Sequence, residues 1–303
     1  MMATRGRSAA GGSMLVTLIA ARLSPGDVTA ASDALRGLGA VPAAVTWLDP
    51  SEAVDIPVRG GAQPALRAAV EAAVPHADVV VQPMGAERRK RLLIADMDST
   101  MIGCECIDEL ADYAGLKLEV AAVTEAAMRG DLDFAGALRA RVALLKGLDE
   151  SVIARCLAER VRETPGGSTL LATMRKAGAR AILVSGGFSA FAEPVGRALS
   201  FDRIVANRLG ITNGRLDGTV GEPIVDAATK RTELLGAGVP LEETLAVGDG
   251  ANDIPMLEAA GLGIAFHAKP RAAAAADAHI RHGDLSALLW AQGYARRDWE
   301  MRT

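Results

Sequence analysis

Four short runs, at residues 92–95, 181–184, 245–247 and 262–265, contain no polar side chain. Unbroken apolar runs of this length, without alternation, read as strands buried on both faces, as in a parallel sheet. Between the first and second runs, from about 107 to 165, apolar residues recur at helical spacing, as in Val142, Leu145 and Leu148. The pattern predicts an α/β fold: a doubly wound parallel sheet with a helical cap inserted over the carboxyl edge of its first strand. Residues 203–219 break the rhythm. Asn213-Gly214 and Asp217-Gly218 are hairpin dipeptides, so a small β excursion is expected there.

The first 85 residues follow a different order. Strands are expected at 14–20, 41–48, 54–58 and 77–82, with helices at 28–38 and 63–73. That is βαββαβ, the α+β ferredoxin-like plan. The topology resembles the ACT domain, a small-molecule-sensing module, and the resemblance implies an amino-acid effector. The expected division is a disordered tail over 1–13, this small unit over 14–85, and one larger domain over 86–303. Residues 85–91, with Arg88-Arg89-Lys90-Arg91, read as a solvated join between the two.

Composition narrows the partners. With 33 basic and 37 acidic residues among 303, the chain has no electrostatic footprint for nucleic acid or an anionic membrane. Aromatics at 3% leave little for base stacking. No apolar run approaches the ~18 residues of a membrane span. The apolar segment 14–21 is short and meets Arg22, so a first strand is expected rather than a signal peptide. Cys104, Cys106 and Cys156 are too few and too unevenly spaced for a zinc set; reduced, buried thiols in a cytoplasmic protein are expected.

The candidate chemistry sits where the apolar runs stop. Leu92–Ala95 is followed at once by Asp96-Met97-Asp98-Ser99-Thr100. Side chains at i and i+2 of extended backbone point the same way. Two like charges aimed into one crevice need a cation or a shared proton. One carboxylate of such a pair is a candidate nucleophile and the other a candidate proton carrier. Ser185-Gly186-Gly187 follows the second run, and Gly248-Asp249-Gly250-Ala251-Asn252-Asp253 follows the third. Lys230 opens a helix between them. In a parallel sheet these ends converge on one crevice. Asp96, Asp98, Asp249 and Asp253 are hard oxygen donors suited to Mg²⁺. Ser185 and the N–H groups of the glycines after it suit phosphate oxygens, and Lys230 adds positive charge.

Taken in order, DMDST, SGG, the downstream Lys and GDGAND resemble the four motifs of the haloacid dehalogenase superfamily, from about residue 91 to the end of the chain. Within it, the chain is similar to the phosphoserine phosphatase family. That similarity is carried by Glu105, Met128, Phe134, the 138–142 segment with Arg141, Val184–Phe188 and Ala206-Asn207-Arg208-Leu209. The resemblance implies hydrolysis of O-phospho-L-serine, the last step of L-serine synthesis, through an aspartyl-phosphate. Asp96 is then the nucleophile, and Asp98 the general acid and later the general base. Mg²⁺ is held by the side chains of Asp96 and Asp249 and the backbone carbonyl of Asp98, with Asp253 behind them. Ser185, Gly186, Lys230 and Asn252 take the phosphoryl group.

Glu105 would accept the substrate ammonium and Arg141 would fork its carboxylate, while Met128 and Phe134 would form an apolar lid. Two alternatives stay open. One is transfer to an acceptor such as homoserine, or action on another small phosphomonoester such as phosphohomoserine. The other is a sensor with a degenerate catalytic half. A homodimer is the assembly considered.

Overall fold

The computed structural model describes residues 12–85, 87–129 and 131–301, without the side chains of Met128 and Arg129. Most of the tail expected over 1–13, and the Met128 side chain assigned to the lid, lie outside what is described. In chain order the elements of the first part are β1 (Ser13–Ile19), α1 (Pro25–Gly37), β2 (Val41–Pro42), β3 (Thr46–Asp49), β4 (Ala53–Arg59), α2 (Gln63–Ala73) and β5 (Asp78–Pro83). Then come β6 (Leu92–Ala95), α3 (Cys106–Tyr113), α4 (Lys117–Arg129), α5 (Phe134–Leu144), α6 (Ser151–Glu159), α7 (Gly167–Lys176), β7 (Arg180–Phe188), α8 (Ser189–Leu199) and β8 (Arg203–Asn207). The last part holds β9 (Leu209–Thr212), β10 (Arg215–Val220), α9 (Ala227–Gly236), β11 (Thr244–Gly248), α10 (Ile254–Ala259), β12 (Leu262–Phe266), α11 (Pro270–Ala275), β13 (Ala278–Ile280) and α12 (Ala287–Ala291).

The parallel part of the sheet runs β13-β12-β11-β6-β7-β8. From β6 the chain winds outward through β7 to β8. It then returns to β11 on the other flank and winds outward again through β12 to β13. The order therefore reverses between β6 and β11, and such a switch point opens a crevice at the strands' carboxyl ends. Leu92–Ala95 and Thr244–Gly248 are buried throughout, as strands covered on both faces must be.

Two expectations need correction. Residues 203–207 are not part of the excursion but form β8, an edge strand of the main sheet. Its half-buried, mixed composition hides it from a search for unbroken apolar runs. Only β9 and β10 make the hairpin, turning at Asn213-Gly214, both at positive φ. It lies against the cap, with the Leu216 carbonyl accepting from Gly147 N–H at 2.7 Å and the Leu216 N–H donating to the Leu148 carbonyl at 2.9 Å.

The N-terminal part has the order β2-β4-β1-β5, with every pairing antiparallel. It has a hydrophobic core of its own, built from residues between Met14 and Val81, and its sheet is continuous with that of the larger part. β5 pairs with β13 at Val79 and His279, making one sheet of eleven strands. The basic join is not merely solvated. Arg88 holds Asp55 with two bonds of 2.6 and 2.9 Å, and donates to Thr17 Oγ1 and to the carbonyls of Trp290 and Ala291. Lys90 is buried, its ammonium on the carbonyls of Glu87 and Glu242. Unpaired carbonyls and a buried carboxylate at the seam require donors, and these basic side chains supply them.

Candidate active site

β6 ends at Ala95, and Asp96 continues in extended backbone (φ −71°, ψ 162°). Its carboxylate accepts from Met97 N–H at 2.7 Å, which starts a tight turn over residues 97–101. Asp98 is again extended, and Ser99 then takes φ +54°. A left-handed serine costs on the order of 1 kcal/mol and needs local compensation. Its N–H donates to the Cys104 carbonyl at 3.2 Å, and its Oγ to Glu105 Oε1 at 2.7 Å. The strained residue thus aims Glu105. Sequence reasoning passed over Ser99, because a positive φ at a serine leaves no trace in the pattern.

Five of the expected residues meet directly. Lys230 Nζ lies 2.7 Å from both Asp96 Oδ2 and Asp253 Oδ1 and is completely buried. Asp253 also accepts the N–H groups of Asp249 and Gly250 at 3.1 and 2.9 Å. Asn252 Nδ2 stands 3.5 Å from Asp96 Oδ2. Asp249 is approached by Thr100 Oγ1 at 3.4 Å and, from the rim, by Lys269 Nζ at 3.7 Å. A lone lysine opening a helix is ordinarily solvated. Here the helix N-cap fixes its depth: Asp226 accepts from Thr229 N–H at 2.8 Å, one residue before Lys230.

Ser185 is buried on β7, and its Oγ accepts from Gly187 N–H at 2.9 Å. A Cβ on Gly187 would lie 2.7 Å from Asp98 Oδ2 and 3.0 Å from Ser185 Oγ. That places the glycine loop directly over Asp98 and shows why no side chain fits there. Phe134, at the start of α5, brings its ring tip to 3.1 Å from where a Gly186 Cβ would be. The cap therefore reaches down onto the loop.

Arg141 lies on α5. Its Nε donates weakly to the Ala137 carbonyl at 3.4 Å, and it makes no ion pair among the described residues. The alternative pairing with Glu150 is not formed. Asp108, whose carboxyl is raised first by burial, feels the charges of both Glu105 and Arg141.

Electrostatics raise both opening aspartates, and only Asp96 has a cation at hydrogen-bond distance. Burial pushes Asp98 well above the carboxylate range, helped by the charge of Glu105. Its Oδ1 is buried without a hydrogen-bond partner. A protonated carboxyl with a free oxygen is poised to give a proton. Burial also lifts Asp96 to about 8, with Asp253 adding to the rise and Lys230 opposing it. Asp249 is lifted to about 6 by burial and then by Asp253. One oxygen from each of Asp96, Asp249 and Asp253 lies within 4.8 Å of the others. Excess negative charge in an all-oxygen cluster fits a small divalent cation. Asp96 and Asp253 share the Lys230 ammonium and each also accepts backbone N–H groups, whereas Asp249 has only looser side-chain contacts, at 3.4 and 3.7 Å, and is the freest donor of the three.

The model of the haloacid dehalogenase-like hydrolases matches residues 93–258, and a second model of the same description matches 231–290. The phosphoserine phosphatase SerB2 of Mycobacterium tuberculosis is 46% identical over 273 residues, covering 88% of this chain and 66% of that protein. The chain thus spans slightly under two thirds of that relative's length. A phosphoserine phosphatase from Albidiferax ferrireducens is 46% identical over 208 residues, covering 66% of this chain and 88% of that one. Among solved structures, an unliganded probable phosphoserine phosphatase from Vibrio cholerae superposes with TM-score 0.75 at 33% identity, covering 95% of this chain and 88% of that one.

Proposed function

The chain belongs to the haloacid dehalogenase-like hydrolases, in their phosphoserine phosphatase branch, and from that premise we propose that it hydrolyses O-phospho-L-serine to L-serine and phosphate. The observation that carries this is the split within one turn. Asp96 is held by a buried lysine, while Asp98, two residues on, carries a raised pKa and an unpartnered oxygen.

Asp96 attacks phosphorus as the bond to the seryl oxygen breaks, giving an aspartyl-phosphate. Asp98 delivers its proton to that oxygen, which would otherwise leave as a poor alkoxide. Water then attacks the phosphorus, Asp98 takes the water's proton, and the bond to Asp96 breaks to release phosphate. Lys230, Ser185 and the Gly186–Gly187 loop hold the phosphoryl oxygens throughout. Glu105 takes the ammonium and Arg141 the carboxylate, which are the two charges that set phosphoserine apart from simple esters. Asp96 and Asp249, with the backbone carbonyl of Asp98, would hold Mg²⁺. That ion supplies positive charge against the dianionic phosphate and favours ionised Asp96. Phe134 keeps water from the closed site.

The test is phosphate release from O-phospho-L-serine with Mg²⁺ and with EDTA, for the parent and for Asp96→Asn. The expected result is turnover that EDTA abolishes and that the substitution lowers by at least about 10³-fold. Turnover indifferent to EDTA, or retained by Asp96→Asn, would refute the mechanism.

A further inference from the structure

Asn207 closes β8 and is buried, yet no step above uses it. Its position follows from an irregularity in the sheet. β7 and β8 stay in register through Ser185 and Ala206, and the next partners are Phe188 and Asn207. Two residues of β7, Gly186 and Gly187, are therefore looped out opposite Asn207, and they form the loop that grips phosphate. Asn207 Nδ2 donates to the Gly186 carbonyl at 2.8 Å and lies 3.4 Å from the Val225 carbonyl. Its Oδ1 accepts from Val225 N–H at 2.7 Å. Val225 immediately precedes Asp226, the cap of the helix that carries Lys230.

We infer that Asn207 is a positioning residue for phosphoryl transfer, setting the spacing between the glycine loop and the Lys230 helix. Ser185 arrives on a strand and Lys230 on a helix, and they share no direct bond among those described, so something must fix their separation. A primary amide suits this place. It offers a donor toward one carbonyl and an acceptor toward one N–H, and it carries no charge into a buried site. Aspartate keeps the acceptor for Val225 N–H but faces the Gly186 carbonyl with a second acceptor. Alanine removes both arms. Among the described residues Asn207 makes no hydrogen bond to Asp96 or Asp249; its two arms reach the glycine loop and the residue before the cap of the Lys230 helix.

The inference rests on the phosphatase reading, and its test separates the two. The parent must release phosphate from O-phospho-L-serine; if it does not, the phosphatase reading fails before any variant is compared. Given an active parent, Asn207→Ala should lose about 10²-fold in kcat, the scale expected for a misplaced catalytic group. Asn207→Asp should lose about tenfold or more. Orthovanadate, a five-coordinate mimic of the transferring group, should inhibit each variant more weakly, by about the factor lost in kcat/KM. Mg²⁺ affinity measured by calorimetry should stay within about threefold of the parent, since the carboxylates are untouched. A purely structural role would lower the melting temperature and folded fraction while leaving vanadate inhibition of the folded protein as in the parent. That pattern, or kcat within about threefold of the parent in both variants, would overturn the inference. If neither variant folds, the parent decides: Mg²⁺ with orthovanadate should shift the Asn207 side-chain amide resonances, and resonances that stay in place would refute the coupling.

Discussion

Lys230→Met tests the centre of the site, because it removes the one cation placed between two buried carboxylates. Lys230 Nζ is 2.7 Å from both Asp96 and Asp253, and the three side chains are 1%, 6% and 0% exposed. Breaking a buried pair from one side costs about 3–5 kcal/mol, since the remaining charge is neither paired nor solvated. At roughly 2 °C per kcal/mol for a chain of this size, the metal-free protein should melt about 6–10 °C lower at pH 8. The cost should shrink as pH falls. The orphaned Asp96 carboxylate escapes it by taking up a proton, at about 1.4 kcal/mol per pH unit. Asp253→Asn in the same chain should restore about half the loss. The asparagine keeps an acceptor for the N–H groups of Asp249 and Gly250 but removes one of the two like charges. The assay is thermal and urea unfolding in EDTA at pH 5 and pH 8 for the parent, the two single variants and the double. A Lys230→Met melting temperature within about 2 °C of the parent at pH 8, or a double variant showing the plain sum of the single losses, would refute the triad as an electrostatic unit.

Arg141→Ala should lower kcat/KM for O-phospho-L-serine by about 10- to 150-fold, the range of one charged hydrogen-bonding partner. It should change p-nitrophenyl phosphate turnover by less than about threefold; equal losses on both esters would remove Arg141 from carboxylate recognition. In EDTA, stability should fall as pH rises from about 4 to about 8. Asp96 at about 8 and Asp249 at about 6 both lie above their unfolded value, so in this window the native state binds more protons than the unfolded one. The gain in melting temperature on adding Mg²⁺ should therefore be larger at pH 8 than at pH 5, and a gain independent of pH would contradict the raised carboxylates. Arg88→Ala should cost about 3 kcal/mol in urea unfolding by stranding Asp55 and two carbonyls at the seam, while kcat stays within about twofold. Unchanged stability would return the basic run to the status of a solvated join.

The sequence by itself determined the parts that local chemistry enforces. Leu92–Ala95 and Leu245–Val247 must be strands buried on both faces, because no polar side chain interrupts them. Aspartates and glycines at the ends of such strands must meet at one sheet edge, which placed Asp96, Asp98, Ser185, Asp249 and Asp253 in advance. Tertiary structure decided what depends on distant partners. Residues 203–207 became a sheet strand only because β7 offered an edge, and Ala278–Ile280 joins β12 to β5 with three residues too few to signal. Arg88 and Lys90 look like a solvated run until the carbonyls of Trp290, Ala291 and Glu242 are set beside them. Lys230 looks like a surface lysine until Asp96 and Asp253 surround it. Burial and like charge, not the spacing of Asp96 and Asp98, raised the proton affinity of both aspartates. The hydrophobic pattern records only whether a residue's own side chain prefers water, whereas pairing, desolvation and charge coupling belong to neighbours that the chain brings from far along its length.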